Sequence, residues 1–480
     1  MNRGYLLVAA VLLAAGAKAA PLPDALKPVQ TIQLPSAVQG PFDHFGIDLA
    51  HNRLFATAEN YHAVLVVDIN SGKVVHEIHG LAKPHAVLYR SDLNRIYVTD
   101  GVDGSLKIFD GNTYQLISRI PLEKDADSIG YDPATHLLYI VSGGKNVGES
   151  SSSLTTIDTT TDKKVANLKI EGETLEAMKL DIFRPKLYLN NTAKNEVDVI
   201  NRFTNKVIAR WPITKGTRNV AMALDEVHQR LFTACRNGQL VIFDTNTGKE
   251  LQALPITQGV DDMTYDAASK RLYVVGNGTV DVIQQSDADH YVLLSQVHAA
   301  PVAKTASLVP QLDRYYVAAP ATAKASASIV VFEPVNTPPY KADRPVSLMP
   351  VHAPHAEQLV LSTLSSHPDL RKLGLHAIPP GQTESVIIAN GDRSRIGKKS
   401  SKGDLEAVKD GKTYCDKKED GAFYNMKLPL FDAAGKSIGI LVMEIPFTSA
   451  ASESDAIHMA ESIRAGLAKQ IPQRGKLFAN

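Results

Sequence analysis

The feature that most restricts what this chain can fold into is a seven-fold internal repeat. A basic or polar residue, an apolar residue and an aromatic or apolar residue recur after a polar turn. The copies are Arg53-Leu54-Phe55, Arg95-Ile96-Tyr97, His136-Leu137-Leu138-Tyr139, Lys186-Leu187-Tyr188, Arg230-Leu231-Phe232, Arg271-Leu272-Tyr273 and Arg314-Tyr315-Tyr316. Their rings stand at 55, 97, 139, 188, 232, 273 and 316, giving intervals of 42, 42, 49, 44, 41 and 43. A period of about 40 to 45 residues built from short strand-like runs belongs to propeller blades.

Each copy divides into four such runs; in the second copy they cover 86–89, 95–99, 105–109 and 115–121. The third and fourth runs are joined by Asp68-Ile69-Asn70-Ser71-Gly72-Lys73, Asp110-Gly111-Asn112, Asp158-Thr159-Thr160-Thr161-Asp162 and Asp244-Thr245-Asn246-Thr247-Gly248-Lys249. Asp, Asn and Gly suit these places because they accept left-handed backbone and the Asp and Asn side chains bond their own main chain. The fold class expected is an all-β seven-bladed propeller. Its seventh copy lacks a strand, since Asn336-Thr337-Pro338-Pro339 cannot donate to a ladder. The segment 28–35, PVQTIQLP, resembles the closing strands of other copies and is predicted to complete the last blade, so that no sheet edge stays free at the closure.

These copies resemble the YVTN β-propeller family, whose tetrapeptide stands here as Tyr97-Val98-Thr99-Asp100; the resemblance spans about residues 28–340 and implies fold rather than chemistry. A propeller presents the residues just before its innermost strands to one mouth of the central channel. Counting back eleven from the apolar anchor of each copy gives Asp43, His85, Asp127, Glu176, Asp261 and Lys304; in the longer fifth copy Asn219 takes the place, with Arg218 beside it. All seven are polar and four are carboxylates. Channel mouths are wet and polar in any case, so paired charges without a function are one reading. The other is a binding ring: converging carboxylates repel unless a cation lies among them. A divalent cation such as calcium would suit oxygen ligands, whereas His44 and His85 would suit a transition metal. Between its second and third strands the third copy inserts residues 143–153, GGKNVGESSSS, on the face of that mouth, as a flexible cover or a tolerated loop.

The remainder of the chain lacks the period. Pro339, Pro345 and Pro350 make 341–353 a stiff linker. From 354 to 471 a leading helix, two strands, a short helix at 404–408, a three-strand meander and an amphipathic helix at 453–470 follow one another. With Ile387-Ile388-Ala389-Asn390, Arg395-Ile396-Gly397-Lys398-Lys399, Asp404 and the turn from Asp432 to Gly435, this order resembles PAS-like and Cache sensor domains. The resemblance implies a smaller α+β domain with a small-molecule pocket between sheet and loop. Asn390, Asp392, Arg393, Arg395, Tyr414 and Tyr424 would line it, an arginine suiting a carboxylate ligand. No transducing module follows, and a degenerate packing domain is the alternative.

Other classes are narrowed by composition. The chain has 51 basic and 51 acidic residues, so no unopposed positive field exists to collect nucleic acid. Cys235 and Cys415, 180 residues apart, form no metal or redox motif. Arg3, the apolar run 6–15 and Ala17-Lys18-Ala19 read as a signal peptide over residues 1–20, which places the mature chain in a bacterial periplasm with no later membrane span. No G-x-S-x-G, H-E-x-x-H or G-x-G-x-x-G is present. The expectation is a secreted, non-enzymatic binding or scaffold protein for a small molecule or a protein partner. The propeller (21–340) would serve as platform and the second domain as sensor. A propeller hydrolase, similar in architecture to lactonases and acting at the acidic mouth, and a purely structural envelope protein are the alternatives.

Overall fold

The computed structural model describes residues 24–479 except 133–134, 182–183, 203, 339–350, 352, 393–394 and 420–421. The expected signal peptide, nearly all of the linker and Arg393 lie outside the described residues. Among them, no helix is long and apolar enough to cross a membrane.

Seven four-stranded antiparallel sheets form a β-propeller. Blade 1 runs from its innermost strand outward as Phe42–Asp48, Arg53–Ala58, Ala63–Asp68 and Lys73–Ile78. Blades 2 to 6 repeat the order from innermost strands Pro84–Arg90, Ile129–Asp132, Leu175–Leu180, Asn219–Asp225 and Val260–Asp266. Each repeated motif opens a second strand, and the seven rings are driven inside: Phe55, Tyr97, Tyr139, Tyr188, Phe232, Tyr273 and Tyr316 are at most 4% exposed. Burying each stabilises the fold by about 1.5 to 3 kcal/mol, which is why one aromatic per period survives where flanking residues vary. The turn carboxylates do what their residue types suggest. Asp68 accepts the Ser71 N–H at 2.7 Å, Asp110 those of Asn112 and Thr113, and Asp244 those of Asn246 and Thr247.

Blade 7 combines Thr305–Val309, Arg314–Ala319 and Ser328–Pro334 with an outermost strand from the other end of the chain, Leu26–Gln33. That strand starts two residues before the segment picked from sequence and pairs antiparallel from Leu26↔Pro334 to Gln33↔Ser328. Ile32 and Leu34 then enter the core that blade 7 shares with blade 1, beside Leu54 and Leu65.

The insertion in blade 3 is not a loose flap. Gly143 ends the second strand, Gly144–Val147 form a 3-10 turn, and Ser151–Asp158 is the third strand, so the insertion is a short structured connection whose two ends extend the sheet. Gly143 and Gly144 take φ of 88° and 76°, and a side chain on Gly144 would stand 2.3 Å from the Glu173 carbonyl oxygen. Lys169 ties the turn down through Glu123 and Glu149.

The second unit has its own core. A five-stranded antiparallel sheet runs Val386–Asn390, Lys372–Ala377, Ser437–Pro446, Phe423–Phe431, Tyr414–Lys418. The helices Pro354–Ser366 (α1) and Glu453–Gln470 (α3) cover one face through Leu359, Val360, Ala460 and Leu467, while Lys402–Lys409 (α2) lies over the two longest strands. Ser401 caps α2 with a reciprocal bond to Asp404.

Candidate functional site at the channel mouth

The innermost strands carry a bulge at their mouth ends. Residues 43 and 44 stand opposite Thr57 alone, 85 and 86 opposite Thr99, 176 and 177 opposite Asn190, and the register also slips at Asn219/Ala221 and Val260/Asp262. A bulge lets neighbouring side chains leave the strict in-out alternation, which is how Asp43 and His44 both reach the channel. The residue opposite each bulge stitches the ring: Thr57 Oγ1 donates to the His85 carbonyl at 2.9 Å, Thr99 Oγ1 to that of Asp127 at 3.0 Å, and Asn190 Nδ2 to that of Val220 at 2.9 Å.

Asp43, His44, His85, Asp127, Glu176, Asp261 and Lys304 line one cavity of about 160 Å3 at the mouth. Arg218 and Asn219 do not join them. Asn219 is buried between blades 4 and 5, donating to Asn190 Oδ1 and the Glu196 carbonyl, and Arg218 is exposed with a left-handed backbone, φ 61°. Blade 5 keeps the spacing of the other blades: Val220, eleven residues before Leu231, sits in its bulge and holds that place, so no allowance for a longer copy is needed. Glu59, Lys83 and Arg236, which the repeat count does not reach, complete the wall. Glu59 and Arg236 directly follow the second strands of blades 1 and 5, whose loops open on this face. Lys83 is placed by Asp100, a fully buried carboxylate accepting the Ala82 and Lys83 N–H groups at 2.7 and 2.8 Å and Lys107 at 2.9 Å.

The expected carboxylate repulsion is therefore met from within. Asp261 lies 2.5 Å from both Arg236 and Lys304, Glu59 is 2.9 Å from Lys83, and Asp43 is 2.5 Å from His85 Nδ1 and 3.6 Å from His44. Burial favours neutral Asp43, yet His44, His85 and Lys304 hold it at about 2. Burial likewise opposes charge on His85, but Asp127 and the Asp43 hydrogen bond outweigh it and lift the imidazole to about 9. For His44, burial is overcome by Asp43 and by Asp262 at 3.4 Å, and its pKa stands well above the ordinary value. Two carboxyls go the other way. Burial raises Asp127 to about 6, with His85 at 3.9 Å offsetting part of it and Asp43 adding to it. Burial, then the charge of Asp127, raises Glu176 to about 8 in spite of Arg236.

Among the described residues, Asp43, His44 and Asp127 are the one group of three with ligand atoms close enough for a metal ion, within 4.8 Å of one another. A metal there would have to displace the proton that Asp43 and Asp262 favour on His44, and to compete with His85 for Asp43. Below the mouth the channel continues as a cavity of about 200 Å3 past Met178, Lys179, Met222 and Met263.

The pocket expected in the second unit does not converge. Tyr424 is packed on Phe447 in the core, ring centroids 4.8 Å apart, and Tyr414 sits on the exposed edge strand, bonded to Asp410. Asn390 is buried and accepts the Asp392 N–H; only Asp392 and Arg395 meet, 3.5 Å apart, in a cleft that also takes Arg371, Lys372 and Glu444 and propeller residues Arg184 and Gln229. Both cysteines are free.

No protein-family model matches the chain, and no curated protein does. Solved structures do. A chain of the Kuenenia stuttgartiensis hydrazine synthase aligns with TM-score 0.54 at 18% identity, over 62% of this chain and 96% of that one. A chain of the mitotic checkpoint complex gives 0.54 at 13%, over 68% and 99%, and U3-55K gives 0.53 at 11%, over 65% and 100%. These neighbours are propeller-like, and at such identities the likeness is one of fold alone.

Proposed function

We propose that this chain is an exported, non-enzymatic binding protein of the YVTN-repeat kind, whose channel mouth holds the positively charged group of a small polar molecule. One observation carries the reading. Of the five carboxyl groups lining the mouth, Asp43, Glu59, Asp127 and Asp261 each have a cation within 3.9 Å, whereas Glu176 has no hydrogen-bond or ion-pair partner among the described residues. It keeps a proton instead, with a pKa of about 8. Burial is the first cause of that retention, and the charges of Asp127, Asp261 and Asp43 add to it, so a ligand ammonium would pair with Glu176 as a carboxylate and offset the cost of ionising it.

The second unit supports a sensor reading. Its helix, two strands, short helix, three-strand meander and closing helix follow the order that the PAS-like and Cache resemblance implies. A peptide partner on the propeller face would be a different use of the same platform, and it would not depend on Glu176.

The test is calorimetric titration of the full chain with methylammonium chloride at pH 7 in buffers of different ionisation enthalpy. Binding should release part of one proton per site, and Glu176→Gln should remove that release. No heat, or heat with no buffer dependence, would overturn the reading.

A further inference from the structure

A second cavity, of about 290 Å3, adjoins the mouth between blades 2 and 3. Its walls include Lys83, His85, Gly101, Lys124, Asp125 and Asn146. Lys83 and His85 also line the mouth, so the two cavities share a wall. His85 is 5% exposed, and while its Nδ1 is engaged by Asp43, its Nε2 is a buried polar atom with no hydrogen-bond partner among the described residues. That nitrogen faces Gly101: a Cβ at position 101 would stand 2.7 Å from Nε2. Asp125 donates its backbone N–H to the Gly101 carbonyl at 2.7 Å and Gly101 donates its own to Lys83, which fixes this wall. Lys124 has no ion-pair partner among the described residues, and Asn146 arrives on the 3-10 turn of the blade 3 insertion. The cations here are Lys83, His85 and Lys124 against the single carboxylate Asp125, and Lys83 is already paired with Glu59.

We infer that this second cavity takes the carboxylate of a zwitterionic small molecule whose ammonium group occupies the mouth, with His85 Nε2–H and Lys124 Nζ as its donors. Orphaned buried donors are rare because each costs about 1 to 3 kcal/mol; here a ligand oxygen satisfies one. Gly101 is needed because any side chain would fill the space between Nε2 and the ligand. The inference rests on the reading of the mouth as an ammonium site and adds the ligand class, a zwitterion with an ammonium and a carboxylate.

The test uses the full chain and four probes: methylammonium, acetate, β-alanine and γ-aminobutyrate. Affinities come from calorimetry, and the His85 imidazole nitrogen signals are followed by NMR. Acetate is expected to move the Nε2 signal, and one of the zwitterions should bind at least about tenfold tighter than methylammonium. Lys124→Gln, at an exposed side chain, should remove that advantage and leave methylammonium binding unchanged. Gly101→Ala should abolish the acetate response. If acetate leaves Nε2 unmoved and neither zwitterion outbinds methylammonium, the inference falls while the mouth reading stands. If acetate binds but methylammonium does not, the mouth reading falls and the anion subsite stands.

Discussion

His85 Nδ1 lies 2.5 Å from Asp43 Oδ2, so the bulges of blades 1 and 2 are locked to each other across the channel mouth. The histidine's pKa is raised to about 9 from an ordinary 6.5. A raised histidine contributes stability that is complete below its unfolded pKa and is lost as pH climbs through the folded one. The window is therefore pH 6.5 to 9, and the loss is on the order of 3 kcal/mol. Thermal melts of the wild type should fall across that window. His85→Gln should melt lower at pH 6 yet show a flatter profile; parallel profiles would mean that the pair contributes nothing.

Closure by the Leu26–Gln33 strand predicts a second behaviour. Ile32 is 2% exposed in the core common to blades 7 and 1, and Ile32→Ala should cost about 2 to 5 kcal/mol in urea unfolding. Deleting residues 24–34 would in addition bare the Ser328–Pro334 edge, which invites pairing between molecules. Size-exclusion chromatography should then show oligomers for the deletion and a monomer-like peak for Ile32→Ala. An unchanged urea midpoint for Ile32→Ala would contradict the closure role.

The propeller was legible because its signal is periodic, and the same period located the mouth. Asp43, His85, Asp127, Glu176, Asp261 and Lys304 share a cavity because each stands twelve residues before its buried ring, at the mouth end of an innermost strand. Blade 5 has the same spacing, and eleven back from Leu231 is Val220; the allowance for a longer fifth copy displaced the expectation to Asn219, and the unbroken period would have named Val220. Glu59 and Arg236 lie in loops that repeat in place but not in residue type, and only the rule that such loops open on the mouth face could have found them. In the second unit the alternation Tyr424, Met426, Leu428, Leu430 did carry the information that Tyr424 belongs to the core face. What the sequence could not carry was the pairing of charges, since Arg236, Asp261 and Lys304 come from three consecutive blades and meet only when those blades pack side by side.

The second unit should be acid-sensitive. His376, 3% exposed on the Lys372–Ala377 strand, is held at about 4: burial is the main cause and prevails over Asp404 at 3.8 Å, with Lys372, Arg395 and Lys427 adding to it. A histidine whose pKa is lowered contributes stability above its unfolded value of about 6.5, and loses it as pH falls toward 4. Calorimetric scans between pH 7 and 4.5 should show one transition moving to lower temperature. In His376→Asn that transition should move less, and a wild-type transition independent of pH would rule this out.

Glu176 gives the sharpest separation of function from stability. Its pKa rises from an ordinary 4.5 to about 8, so the native state binds its proton more tightly than the unfolded chain does. A raised carboxyl therefore costs nothing below pH 4.5 and a growing amount as pH climbs toward 8. Glu176 is partly exposed to the cavity, which softens the burial and puts the cost at pH 7 at about 1 to 3 kcal/mol. Glu176→Gln keeps the shape and removes the ionisation, so it should be more stable than the wild type at pH 7 by that amount and equal to it at pH 4. A residue placed for packing alone would weaken the fold when changed. A gain in melting temperature at pH 7 together with loss of methylammonium binding is the pattern expected of a carboxyl kept for its ligand at the expense of the fold. A loss of stability at both pH values would remove the argument for the site.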